Sequence, residues 1–341
     1  MNQKAIEAQA DIHHQWFLGM QLMVSTRHGP DVVYDWIFRL FRRQHKAKFL
    51  SSFEKLGLSG QPHAVACAKY HVLSNGIGGV PVEYYEESPT KAWVRFRYPR
   101  WMFDGPVICG MPAEASRGFL HGWYAQNGIS LGNPRLGFVC VSEDIGGWGL
   151  CGYFQEYDQD LTPEQRLQFA PNERPPQFDP TAQPTPPTAE WPAERVAKAN
   201  RNYAVDYICN GLTALVETIG QDAAVNLAKT SARLTGLQRA RHLYHTLGLE
   251  EGGHSEAAAF LAALFQGMGD RVEIIETSPT ETIFLHSDLR LVRNTDQASR
   301  ADLITCWIAL WRGAISAGRA FLNVSATPAD NGLTWTITAD S

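Results

Sequence analysis

Apolar residues in this chain follow two patterns, one with helical spacing and one with strict alternation. "FLGMQLMV" and "VVYDWIFRLF" are rich in apolar residues and indicate helices that are largely buried. "VPVEYYEE" and "KAWVRFRY" alternate with a period of two around "SPT", which predicts a β-hairpin. In the first half the pattern predicts helices at 3–27, 30–46, 47–56 and 62–74, this hairpin, a helix at 111–128 and a second hairpin around "IGG".

The second half repeats this order of elements. Its pattern predicts helices near 194–219, 221–246, 254–267 and 296–317, and strands at 271–277, 281–292, 319–326 and 332–339. Each half therefore consists of a helical N-terminal part followed by a ββαββ unit, in which a helix packs on one face of four strands. This arrangement predicts an α+β fold.

Matching segments in the same order indicate a tandem duplication. "VEYYEESPT" at 82–90 returns as "VEIIETSPT" at 272–280, and six of the nine letters are identical. "GPD", "LGL" and "FVCVS" in the first half likewise match "GQD", "LGL" and "FLNVS" in the second. We therefore predict two homologous modules, copy one at 1–158 and copy two at 193–341, that pack with pseudo-twofold symmetry.

Residues 159–192 separate the two modules and form a proline-rich connector. Its stretch "PNERPPQFDPTAQPTPPTAEWP" has no apolar period. Because proline fixes φ and removes a backbone donor, we expect an extended segment that lies over the surface.

Composition and charge restrict the class of protein. The chain is 44% hydrophobic with a net charge of -5, so neither nucleic acid nor an anionic membrane is an expected partner. It has no run of about 18 apolar residues for a membrane span, and it starts without the apolar run of a signal peptide. The six cysteines lack the dense spacing of disulfide-rich proteins, which favours a cytoplasmic protein with reduced thiols. A homo-oligomer is compatible with all of these features.

Reactive side chains are concentrated in copy one. Three cysteines and one histidine of this module have no counterpart in copy two, namely Cys109, Cys140, Cys151 and His121. Both modules need a core, but only one of them needs a site. We therefore predict that copy one carries the functional site and that copy two serves as a scaffold.

Cys109 is the first candidate for catalysis. It precedes Pro112, which we place in the first turn of a helix, and the positive end of a helix lowers a thiol pKa and favours the thiolate. His121 lies on the same helix and is the candidate proton carrier. Direct contact between the two requires the loop to fold back over the helix. The alternative interpretation is that Cys109 is a small, buried apolar residue.

Cys140 and Cys151 form a second candidate site. In a hairpin that turns at "DIGG" they face each other across the ladder, which suits two thiolates bound to one zinc ion. Cys109 and His121 are the candidates for the two further ligands. The alternative is a pair of small core residues without metal, so the predicted cofactor is either none or zinc.

Aromatic and basic residues form a third candidate site, for a flat aromatic or heterocyclic substrate. Arg95 and Arg97 share one face of a strand, because side chains alternate, and could pair with a carboxylate in bidentate fashion. The aromatic candidates for the walls of the pocket are Trp101, Trp123, Tyr124 and Trp148. The alternative is a solvated strand face above an ordinary aromatic core.

The end of copy one, with "FVC" in one strand and "GLCGYF" in the next, resembles the 4-vinyl-reductase domain and the L-2-amino-thiazoline-4-carboxylic acid hydrolase family. The resemblance covers residues 80–158. The first family implies cysteines paired across the hairpin, with zinc in some members and sensing of aromatic ligands in others. The second implies hydrolysis of small nitrogen or sulfur heterocycles. The chain departs from the zinc-binding pattern, because Cys140 and Cys151 are more widely spaced and Leu136 and Gly137 stand where an acidic residue is expected.

These features lead to two functional predictions. The first is a small-molecule hydrolase that acts on a C–N or C–S bond of a heterocyclic or amide substrate, with a cysteine nucleophile or a metal-activated water in copy one. The second is a non-enzymatic binding or sensor module for an aromatic compound, with a structural zinc. The chain contains no P-loop, Rossmann fingerprint or HExxH motif, so nucleotide and zincin chemistry lack support.

Overall fold

The protein combines helices with two β-sheets, which confirms the predicted α+β class. The fold is taken from a computed structural model that describes residues 3–97, 109–144, 146–185, 191–293, 295 and 297–339. Among these residues, no helix has both the length and the apolar character needed to cross a membrane.

Three long helices begin the chain, α1 (Gln3–His28), α2 (Pro30–Lys55) and α3 (His63–Ile77). Proline at the first position of α2 follows Gly29, whose φ of 87° is accessible to glycine at little strain. The sequence predicted two helices where α2 is continuous. The reason is that no glycine or proline between Pro30 and Lys55 interrupts it.

Helix α4 (Ala113–Gly122) packs closely against α2, because two of its glycines face the α2 backbone. A Cβ atom at Gly118 would lie 2.6 Å from the carbonyl oxygen of Tyr34, and one at Gly122 would lie 2.6 Å from that of Phe38. The helix predicted at 111–128 is shorter than expected, because α4 ends at Gly122. It continues as a 3-10 turn, Tyr124–Gln126, and a short helix α5 (Asn127–Ser130).

Five strands form the first sheet, β1 (Val82–Ser88), β2 (Lys91–Phe96), β3 (Leu136–Ser142), β4 (Cys151–Glu156) and β5 (Leu167–Phe169). Their order is β1-β2-β4-β3-β5, in which β5 runs parallel to β3 and all other neighbours are antiparallel. One face packs against α3, where the ring of His71 stacks on Phe154 with centroids 5.5 Å apart. The sequence analysis did not predict β5.

The proline-rich connector covers the other face of this sheet with residues 170–185, which we call the strap. Glu173 accepts a hydrogen bond from the Tyr153 hydroxyl at 2.9 Å, and the Phe178 ring lies 5.8 Å from that of Tyr85. The Gln183 side chain accepts from the backbone N–H of Tyr84 at 2.9 Å and donates to its carbonyl at 2.8 Å. The strap is therefore hydrogen-bonded both to the sheet face and to its β1 edge.

The second half contains helices α6 (Ala193–Ile219), α7 (Gln221–Leu247), α8 (His254–Met268) and α9 (Gln297–Ser316), and strands β6 (Arg271–Thr277), β7 (Glu281–Ser287), β8 (Leu322–Ala329) and β9 (Gly332–Ala339). The strand order β6-β7-β9-β8 matches that of β1 to β4 in the first sheet. The predicted strand 281–292 ends at Ser287, and a 3-10 turn follows at Arg290–Val292.

The two "SPT" hairpins share details of backbone geometry. In each turn the serine hydroxyl accepts from the threonine N–H two residues on, at 3.3 Å for Ser88 and Thr90 and at 3.3 Å for Ser278 and Thr280. The first strand of each hairpin also carries a register irregularity before the turn. These similarities favour the duplication, which stays a prediction together with the pseudo-twofold packing.

One of the matched segments does not mark equivalent positions. Phe138 of "FVCVS" is buried within β3, whereas Phe321 of "FLNVS" precedes β8, is 80% exposed and has a φ of 47°. The match of these two segments aligns Cys140 with Asn323. This alignment was wrong, because the strand pairing of the second hairpin is displaced along the sequence relative to that of the first.

Two compact units divide the chain by their internal contacts. One comprises residues 24–196, and the other combines residues 1–23 with 197–341. The connector thus groups with the first sheet. The first 23 residues, which the predicted limits 1–158 assigned to copy one, group with the second sheet.

Candidate ligand-binding site

A pocket of about 580 Å³ opens in the 24–196 unit where β3 and β5 end. Its volume lies within the range of pockets for small organic ligands. The lining residues come from α4, the ends of β3 and β5, the β3–β4 loop and the strap, and they are Arg117, Cys140, Val141, Ser142, Glu143, Gly146, Gly147, Trp148, Phe169 and Pro171.

Arg117 and Glu143 form the charged part of this lining. The guanidinium donates from Nε at 2.7 Å and from Nη2 at 3.0 Å to the two carboxylate oxygens, which is a bidentate pair. The hydrogen bonds that Arg117 donates to Glu143 raise the pKa of Arg117. The Phe169 ring lies 5.9 Å from the guanidinium carbon. Arg117 Nη1 also lies 3.4 Å from Glu114 Oε1, so two carboxylates face the one guanidinium at this end of the pocket.

Trp148 also lines a second pocket, of about 330 Å³. The smaller pocket is lined by Arg95, Trp148, Arg174 and Pro175. Arg95 donates from Nε to the Trp148 carbonyl at 3.2 Å, and the guanidinium carbon of Arg174 lies 5.6 Å from the indole ring. The sequence predicted Arg95 and Trp148 for one site, and the structure brings them together.

Glu83 is the acidic partner next to the smaller pocket. Its carboxylate accepts from Arg97 Nη1 at 2.7 Å and from the Tyr85 hydroxyl at 2.6 Å, whereas Arg95 Nη1 lies 3.7 Å away. Burial alone would raise the pKa of Glu83, but the hydrogen bonds from Tyr85 and Arg97 lower it below its ordinary value. Arg97 thus forms an ion pair with Glu83. Its guanidinium is largely exposed and does not line either pocket.

Cys140 and Cys151 do not face each other, in contrast to the predicted pairing. Cys140 pairs with Gly152 and Cys151 with Ser142, because the register shifts between Cys140 and Ser142. Burial raises the pKa of both thiols to about 12, so they are protonated at neutral pH. In the described parts of the chain, no three His, Cys, Asp or Glu side chains converge as metal ligands. This donor set does not fit the predicted zinc site.

Cys109 and His121 lie near opposite ends of α4. Cys109 is exposed and precedes the first helical residue, Ala113. His121 is eight positions beyond Ala113, about 12 Å along the helix axis. The His121 ring shares a short hydrogen bond between Nδ1 and the Tyr34 hydroxyl, and burial lowers its pKa. The described contacts therefore pair His121 with a tyrosine and not with the thiol.

The other aromatic candidates belong to the core. Trp123 packs edge-on to His45 at 5.4 Å, and Tyr124 lies 3.8 Å from the ring of His71. Neither residue lines the two pockets described above. Trp101 lies outside the described residues.

A buried chain of hydrogen bonds beside this core was missed by the sequence analysis. Arg42 donates to His45 Nδ1 at 2.9 Å, His45 Nε2 lies 3.2 Å from Asn127 Oδ1, and Asn127 Nδ2 lies 2.9 Å from His71 Nε2. Because arginine can only donate, His45 is neutral and donates from Nε2 to Asn127. The signal available in the sequence was the presence of two polar residues, His45 and His71, within apolar helices.

The pocket residues that the sequence analysis missed come from two places. Arg117 and Glu143 are ordinary surface residues by sequence, and only the fold makes them a pair. Phe169 and Arg174 lie in the predicted connector, which was not expected to contribute to a site. An aromatic and a basic residue within a proline-rich stretch are a weak signal of such a contribution.

Compared with known proteins, the chain matches no family model, no curated protein and no solved structure. The resemblance to the two families stays a prediction.

Proposed function

We propose that the 24–196 unit binds a small, flat organic molecule in the pocket beside Trp148. The observation that carries this proposal is the 580 Å³ pocket with Trp148 and Phe169 in its lining. Aromatic side chains favour flat apolar ligands, and a few polar groups orient them. Here the polar groups are Ser142 and the Arg117–Glu143 pair. This corresponds to the predicted binding or sensor module, without the zinc.

Binding of a neutral fluorescent probe tests this proposal. N-phenyl-1-naphthylamine is flat and uncharged, and its emission rises when it leaves water. We expect saturable binding of one probe per chain. Replacing Trp148 or Phe169 with alanine should weaken binding about fivefold each, the order expected for one aromatic contact.

Phe178→Ala is the matched control, because Phe178 is an exposed phenylalanine of the same unit that does not line the pocket. Its substitution should leave probe affinity unchanged. An unsaturable signal in the wild type, or equal affinity in the Phe169 and Phe178 variants, would contradict the proposal.

The hydrolase is the second candidate, and the exposure of Cys109 favours it. The thiols of Cys67, Cys140, Cys151 and Cys306 are buried, and burial raises the pKa of each. Cys109 is exposed and stands just before α4, so it is the described thiol with the best access to a substrate. A cysteine nucleophile would attack the carbonyl or imine carbon of the substrate and be released by water.

Thiol kinetics and turnover test the hydrolase together. We expect one thiol to react rapidly with 5,5′-dithiobis(2-nitrobenzoate) in the folded protein, and Cys109→Ala to remove this phase. In a screen of cyclic amides and thiazolines, Cys109→Ala should abolish any turnover that the wild type shows. Cys306→Ala removes a buried thiol and should retain it. Turnover that survives in Cys109→Ala would exclude this nucleophile.

A further inference from the structure

Positive charge accumulates beside the smaller pocket. The guanidinium groups of Arg95 and Arg97 share the carboxylate of Glu83, and Arg174 lines the pocket together with Arg95. Glu83 is bound most closely by Arg97, at 2.7 Å. Within the part of the chain that the structure describes, Arg174 makes no ion pair, and Arg95 has only the 3.7 Å contact with Glu83. Arg174 therefore brings a positive charge without an ion pair to the lining of the pocket, and Arg95 shares its one carboxylate with Arg97.

The donors of these two arginines are partly available. Arg95 uses Nε for the Trp148 carbonyl and also contacts Tyr85 and Glu83, which leaves it some N–H groups for a ligand. The guanidinium carbon of Arg174 lies 5.6 Å from the centre of the indole, and this cation–π contact uses none of its N–H groups. Two guanidinium groups held in this way can bind one carboxylate or sulfonate.

From this geometry we infer that the ligand of the Trp148 pocket is an aromatic anion. Its ring occupies the larger pocket beside Trp148 and Phe169, and its carboxylate or sulfonate reaches Arg95 and Arg174. Trp148 lines both pockets, so a single small molecule can contact both sets of residues. The inference rests on the proposed function and adds the charge of the ligand to it.

Two probes that differ by one charged group separate the inference from the proposed function. 1-Anilinonaphthalene-8-sulfonate has the ring system of N-phenyl-1-naphthylamine and carries one sulfonate. We expect the wild type to bind the anionic probe about tenfold more tightly than the neutral one. This advantage should shrink as sodium chloride is raised, because salt screens a partly exposed ion pair. Affinity for the neutral probe should not respond to salt.

Arg174→Gln is the informative variant, because Arg174 is exposed on the strap and its loss leaves the core untouched. It should weaken binding of the anionic probe about fivefold and leave binding of the neutral probe unchanged. Arg39→Gln removes one positive charge from α2, where Arg39 pairs with Asp35, and serves as the control. It should change neither affinity.

The outcomes distinguish the two statements. If the neutral probe does not bind to the wild type, the proposed function fails and the inference fails with it. If the neutral probe binds and the sulfonate adds no affinity, only the inference is overturned. The same holds if Arg174→Gln and Arg39→Gln weaken the anionic probe equally, since the effect would then reflect net charge alone. Loss of the anionic advantage in Arg174→Gln alone supports the inference.

Discussion

At the scale of single residues, two buried histidines are held neutral by their partners. His13 donates from Nδ1 to the Gln9 carbonyl at 2.8 Å, and its Nε2 accepts from the Trp307 indole at 3.1 Å. His45 accepts from Arg42 and donates to Asn127. Burial lowers the pKa of His13 to about 4 and, with the adjacent Arg42, that of His45 to about 4.

These histidines predict a loss of stability in mild acid. Because the folded-state pKa lies below the ordinary value of 6.5, the unfolded chain binds more protons between pH 6.5 and 4. The contribution of these histidines to the free energy of unfolding is therefore fully present above pH 6.5 and is lost as the pH drops towards 4. Each histidine contributes on the order of 3 kcal/mol across this window. Urea unfolding followed at pH 7.5, 6 and 5 measures the change.

His45→Gln provides the control for this effect, because glutamine can keep a hydrogen bond and does not titrate. The variant should be less stable than the wild type at pH 7.5. Its free energy of unfolding should, however, fall less than that of the wild type between pH 7.5 and pH 5. His63→Gln changes a histidine that is not buried in the core and should retain the wild-type slope. A wild-type slope in His45→Gln would show that other groups cause the acid sensitivity.

Two residues of the candidate site, Arg95 and Trp148, were named from the sequence for different reasons. The face on which Arg95 lies follows from alternation along the regular strand β2, whereas Trp148 of the β3–β4 loop was named only for its aromatic ring. Cys140 was misplaced because the register shifts between Cys140 and Ser142, and an irregularity of this kind leaves no mark in the sequence. The contribution of Arg174 depends on where the strap lies, which no local pattern specifies.

At the scale of elements, Gln183 closes the β1 edge of the first sheet. Its carboxamide accepts a hydrogen bond from the N–H of Tyr84 and donates one to the Tyr84 carbonyl. One side chain thus makes the two hydrogen bonds that a neighbouring strand would make. Exposed strand edges invite pairing with other chains. The strap therefore protects this edge without adding a strand to it.

Gln183→Ala should free both backbone groups of Tyr84. We expect a loss of about 1–2 kcal/mol, the order of two partly exposed hydrogen bonds, and faster hydrogen exchange at the Tyr84 amide. Gln168→Ala is the matched control, since Gln168 is an exposed glutamine of β5 whose side chain does not contact β1. Unchanged exchange at Tyr84 in Gln183→Ala would mean that the amide is protected by another group.

Elements were predictable where short-range signals determine them. The "SPT" turns lie where the alternating pattern placed them, because serine and proline define the turn locally. The end of α4 at Gly122 was not predicted, since no proline follows it before the 3-10 turn and α5. Strand β5 has three residues, too few for a periodic pattern, and exists only because β3 offers it a partner.

At the scale of the whole molecule, the two sheets differ in how they are covered. The strap packs on the first sheet, whereas strand β6 of the second sheet exposes Ile274 and Ile275. The sequence analysis predicted two similar α+β halves, but not that the connector groups with the first sheet. Which sheet the connector packs on depends on how two complete surfaces fit together, so local periodicity does not predict it.

The grouping of residues 1–23 with 197–341 has a consequence for synthesis on the ribosome. Trp16 donates to the Ala228 carbonyl at 3.2 Å, and Gln9 donates to that of Leu264 at 2.7 Å. Both partners are translated after the whole of 24–196. At ~5–20 residues per second the nascent helix α1 waits roughly 10–50 s for them. During this time its apolar face, which includes Ile12, Trp16 and Phe17, lacks the cover that it has in the folded protein, and we expect chaperones to bind it.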